Sequence, residues 1–150
     1  MKMYYPLMFL LILLTAKIVE GQSGEGDRRL KFCTEYLSSK GLYKKLSVGL
    51  GKELQVDVEI KPSYRNDENY ITIAREFRER YCHIKEMRIT YFASKKQWQI
   101  LDPFELESTP LAIYYYGEKK DEIGLDVYKV VNNKVETRKV DLSQYKVLSK

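Results

Sequence analysis

Two periodicities meet in residues 69–93. Tyr70, Ile73, Ala74, Phe77, Tyr81 and Ile84 recur three and four apart, the spacing that places side chains on one stripe of a helix. Met87, Ile89 and Tyr91 then alternate with Arg88 and Thr90, as in a strand with one buried face. The segment predicts an amphipathic helix running into a strand, and the rest of the chain is read around it. Asn69 or Asp67 is placed to cap the helix. Arg75 and Glu79, and Glu76 and Arg80, stand four apart, the pattern of a solvated outer face.

Upstream, Leu30, Cys33 and Leu37 share a stripe between Asp27, a capping residue, and Gly41, a helix-ending one. This predicts a first helix over 28–40. Leu46, Val48 and Leu50 alternate with polar or small residues, and after Gly51 so do Leu54, Val56, Val58 and Ile60. A hairpin turning near Gly51 follows. The polar side of its second strand argues for a sheet covered on one face, against a doubly wound parallel sheet.

Downstream, residues 97–101 (QWQIL) read as a strand ended by Asp102-Pro103. Residues 111–116 (LAIYYY) read as another, and 123–131 with 134–142 as a hairpin around Asn132-Asn133. The order α, ββ, α, ββ, β, ββ predicts an α+β fold. Its form is a two-layer sandwich: a mainly antiparallel sheet of five to seven strands, with two helices on one face.

The start of the chain changes where this domain is expected to work. Lys2, an apolar run over 7–14, and Val19-Glu20-Gly21 have the order of a secretory leader cleaved after Gly21. The uncharged run over 3–16 has 14 residues, short of the ~20 that a span needs. The reading is a signal peptide over 1–21, a single domain over 22–150, an extracellular location and no membrane span after cleavage. Of 26 basic and 21 acidic side chains, residues 22–150 keep 24 and 20, a net charge of +4. The two signs are interleaved, so no specific nucleic-acid partner is expected. Cys33 and Cys82 are the two cysteines, and in an oxidising compartment they are expected to form one disulfide bond.

Catalytic chemistry is hard to assemble from these residues. His83 is the single histidine, and its neighbour Cys82 points elsewhere on a helix. No zinc-ligand spacing, phosphate-binding glycine loop or serine-nucleophile motif is present. Neither a catalytic residue nor a metal or other cofactor is assigned. Among the acids, Glu105, Glu107, Asp121 and Glu122 read as exposed loop residues.

Tyrosine is abundant, with 13 in the chain. In 114–116 the central ring must face opposite its neighbours. Tyr114 and Tyr116, with Phe92 and Trp98, are the candidates for binding a macromolecular partner, since aromatics with polar tips suit interfaces. Ordinary sheet packing is the alternative for them. Three dibasic pairs, Lys44-Lys45, Lys95-Lys96 and Lys119-Lys120, make a candidate patch for a polyanion if the fold gathers them. The leading expectation is a secreted, non-enzymatic protein that binds an extracellular protein partner as a ligand, effector or inhibitor. The alternatives are a secreted hydrolase with paired carboxylates and a polyanion- or matrix-binding protein.

Overall fold

The computed structural model describes residues 41–102, 104–117 and 123–145. The segments read as leader and first helix, with Cys33 and Lys119-Lys120, lie outside the described residues. The described residues form an α+β domain with an open six-stranded sheet in the order β1-β2-β3-β4-β5-β6. The strands are β1 (Tyr43–Leu50), β2 (Leu54–Ile60), β3 (Met87–Phe92), β4 (Ala112–Tyr116), β5 (Gly124–Val131) and β6 (Lys134–Lys139). Helix α1 (Asp67–Arg80) connects β2 to β3, and the single turn α2 (Lys95–Trp98) follows β3.

Four of the five strand pairs are antiparallel. β2 and β3 run parallel, with Val56 opposite Ile89, because the helix between them returns the chain to the same end of the sheet. The β1–β2 hairpin turns at Gly51 as its glycine suggests, with a bulge between Lys45 and Ser47. At the β5–β6 turn Asn132 and Asn133 both have positive φ, 49° and 58°. That is the left-handed pair a two-residue hairpin turn needs.

The core lies between α1 and one face of the sheet. The helix supplies Tyr70, Ile73, Ala74, Phe77 and the capping Tyr81; the sheet supplies Leu54, Val56, Val58, Ile60, Met87, Ile89, Tyr91, Ala112, Tyr114 and Leu125. The expected helical stripe is thus buried, apart from Ile84, which is half-buried past the helix end. The Tyr91 hydroxyl donates to the Tyr70 carbonyl at 2.7 Å, and their rings meet at 4.8 Å. Burial holds both phenols protonated, Tyr70 with a pKa pushed up to about 12 and Tyr91 well above its ordinary value.

Three local expectations need correction. The helix cap is Asn66, whose side chain accepts from the Asn69 N–H at 2.9 Å; it lies one residue before Asp67. Glu76 is not on a solvated face: it is 1% exposed, accepting from Tyr43 at 2.9 Å and paired with Arg80 at 3.1 Å. A buried carboxylate is tolerable only with such partners, and this one ties β1 to α1. Residues 97–101 are not a strand. Ser94 Oγ accepts from the Gln97 N–H at 3.1 Å and starts α2 instead, a side-chain cap that competes with extended pairing.

Candidate partner-binding loop

Between α2 and β4 the chain makes a loop over 99–111, and local bonds hold it in shape. The Gln97 side chain clamps its base: Oε1 accepts from the Ala93 N–H at 2.6 Å, and Nε2 donates to the Thr109 carbonyl. Within it the Phe104 N–H donates to Asp102 Oδ1 at 2.9 Å and the Glu105 N–H to the Asp102 carbonyl at 3.3 Å. The Ser108 hydroxyl and N–H both donate to the Glu105 carbonyl, and Leu106–Ser108 form a 3-10 turn.

This loop presents apolar side chains to solvent. Leu101 is 95% exposed and Phe104 is 92% exposed, with Leu106 beside them at 37%. Isolated exposed leucines are ordinary, but here a Leu and a Phe three residues apart are both almost fully exposed on one hydrogen-bonded loop. They have an acidic border. Asp102, Glu105 and Glu107 are the charged residues of 99–109, and the side chains of Glu105 and Glu107 make no ion pair or hydrogen bond among the described residues. A chain with a net charge of +5 thus carries a local excess of negative charge around the most exposed large apolar side chains among the described residues.

The residues singled out from sequence fall elsewhere. Tyr114 and Tyr116 share the helix side of the sheet and Tyr115 the other, as strand period requires. Tyr114 is 1% exposed, beside Ile89 in the core. Tyr116 is half-buried, with the Arg78 guanidinium 3.9 Å above its ring. Phe92 lies half-buried on the face away from α1. Trp98 packs on that face too, its indole N–H donating to Asp57 Oδ2 at 3.0 Å, where Ser47 also donates at 2.6 Å. Tyr115 covers Gly124, where a Cβ would collide with its ring.

Lys44 and Lys45 are exposed on β1, and Lys95 and Lys96 on α2. Lys44 is in register with Glu59, and Glu59 with Phe92, so both pairs lie at one end of the sheet with a carboxylate strand position between them. Cys82 is exposed in the turn after α1; no cysteine among the described residues is free. Among the described residues no group of three or more His, Cys, Asp or Glu side chains is placed to hold a metal ion. No helix among them is long and apolar enough to cross a membrane.

Sequence reasoning missed Leu101 and Phe104. The available signal was Asp102-Pro103, a loop marker, with Leu101 before it and Phe104 after it; reading 97–101 as a strand assigned Leu101 to the sheet instead. Comparison with protein-family models, with curated proteins and with solved structures finds no match to this chain.

Proposed function

We propose that the chain is a secreted, non-enzymatic protein that binds an extracellular macromolecular partner through the loop over 99–111. The exposure of Leu101 and Phe104 on a braced loop carries this reading. Folding has no use for two large apolar side chains held in water, whereas a contact does. Hydrogen bonds that fix the loop before contact reduce the ordering cost of binding. Apolar anchors bordered by polar groups have the layout of an interface centre and its rim. Secretion rests on the leader-like pattern of 1–21, and a Cys33–Cys82 bridge belongs to the same reading.

The test is comparative capture from extracellular fluid. Wild-type protein and Phe104→Asp are immobilised separately, and bound proteins are identified by mass spectrometry after cross-linking. A partner captured by the wild type, cross-linked to the loop and lost with Phe104→Asp is the expected result. Equal capture by both proteins removes the loop from the contact. N-terminal sequencing of secreted material is expected to start at Gln22, and non-reducing peptide mapping to return a linked Cys33–Cys82 peptide.

A further inference from the structure

The same molecule carries a concavity to match the protruding loop. A shallow, open cleft of about 520 Å³ lies beside the start of α1. Tyr70, Val127 and Tyr145 give it aromatic and apolar walls, and Arg65 and Arg138 stand on its rim. Arg138 is engaged by Asp67 through two bonds of 2.8 and 2.9 Å. Arg65 is different. Its Nη2 donates to the Ala93 carbonyl at 2.9 Å and its Nε to the Ile60 carbonyl at 3.4 Å. Carbonyls orient the guanidinium without neutralising it, and no carboxylate pairs with Arg65 among the described residues. Glu68 also lines the cleft, so the charge match rests on Arg65.

Loop and cleft adjoin. Ala93 accepts from Arg65 through its carbonyl and donates to Gln97, the clamp of the loop, through its N–H. Both features therefore occupy the same end of the sheet, yet Phe104 remains 92% exposed and does not enter the cleft of its own chain.

We propose that the loop's partner is a second copy of this chain, in a two-fold dimer where each Phe104 enters the other copy's Tyr70–Val127–Tyr145 cleft with Glu105 against Arg65. The proposal rests on the loop being a contact element, as argued above. A single insertion would leave a free loop and a free cleft at the two ends of the pair and so propagate. Two reciprocal insertions close, because loop and cleft share one end of the molecule. A lipid surface suits the loop poorly, since three carboxylates and no base accompany it, and charged groups are costly to bury without partners.

Sedimentation velocity of the secreted protein over a concentration series tests this. Wild-type protein is expected to pass from monomer to dimer with rising concentration. Phe104→Asp, at a site exposed enough to leave folding intact, is expected to raise the dimer dissociation constant at least about tenfold, and Tyr145→Asp to do the same from the cleft side. The decisive measurement mixes the two variants. Each alone lacks both reciprocal contacts, but the mixture has one intact loop facing one intact cleft, so a heterodimer weaker than the wild-type dimer is expected. A monomer at every soluble concentration overturns the proposal, as does a dimer unchanged by Phe104→Asp or a mixture that fails to associate. If the wild type is monomeric yet captures another protein that Phe104→Asp loses, the second copy is excluded while the contact loop stands. If Phe104→Asp alters neither association nor capture, both readings fall.

Discussion

Phe77 and Phe104 are the same residue in opposite circumstances, as are Leu54 and Leu101. The first of each pair is 0% exposed between α1 and the sheet; the second is more than nine-tenths exposed on the loop. Phe77 touches Tyr43 at 5.6 Å and Tyr81 at 6.2 Å between ring centroids, inside the layer between α1 and the sheet. Phe104 is held only through its backbone. The contrast separates two uses of apolar area. On the α1 side, it drives folding. On the loop, it contributes nothing to the folded monomer and is available to whatever covers it.

Alkaline pH is the widest blow to the first region alone. Tyr43, Tyr70, Tyr91 and Tyr114 all have pKa values raised, first by burial. Phenols whose folded pKa exceeds the unfolded value near 10 contribute their full stability below about pH 10 and lose it as pH climbs through the folded values. Denaturation midpoints are expected to hold up to about pH 10 and to fall steeply towards pH 12, the level reached by Tyr70. A midpoint flat to pH 12 would show these phenols to be solvated.

Phe77→Ala is next, at about 3–5 kcal/mol for a buried aromatic; a urea midpoint shift worth under about 1 kcal/mol would place that stripe away from the core. Glu76→Ala removes the shared partner of Tyr43 and Arg80 and should cost about 2–3 kcal/mol, measured the same way. Trp98→Phe keeps an aromatic side chain but loses the pyrrole half of the indole and its bond to Asp57, with an expected loss of about 1–2 kcal/mol. Phe104→Ala sits at the bottom of the scale, within about 0.5 kcal/mol of wild type. A destabilisation comparable to that of Phe77→Ala would erase the distinction between the two regions.

The chain's local patterns were sufficient for most of the architecture. A three-and-four spacing placed Tyr70, Ile73, Ala74, Phe77 and Tyr81 on one stripe, and alternation placed Leu54 to Ile60 and Met87 to Tyr91 on one face each. Asn132-Asn133 marked a hairpin because adjacent asparagines tolerate left-handed backbone. Even the split of Tyr114 and Tyr116 from Tyr115 was legible, since it follows from strand period alone. What failed was also local in cause: QWQIL alternates like a strand, but the Ser94 cap and the Gln97 clamp stabilise a helical turn.

What the sequence determined by itself is therefore which residues stand together: the stripes, the alternating faces and the turn at Asn132-Asn133. What only the tertiary structure decided is which of those faces is covered. Periodicity relates neighbours along the chain, whereas burial depends on segments far apart in it. Helix α1 lies over the side bearing Tyr114, so that ring is core. Glu76 is buried because Tyr43, 33 residues away, reaches it. Among the described residues nothing folds back over Leu101 and Phe104, so two residues of the kind normally found inside stand in water, next to a cleft that no local pattern could have announced.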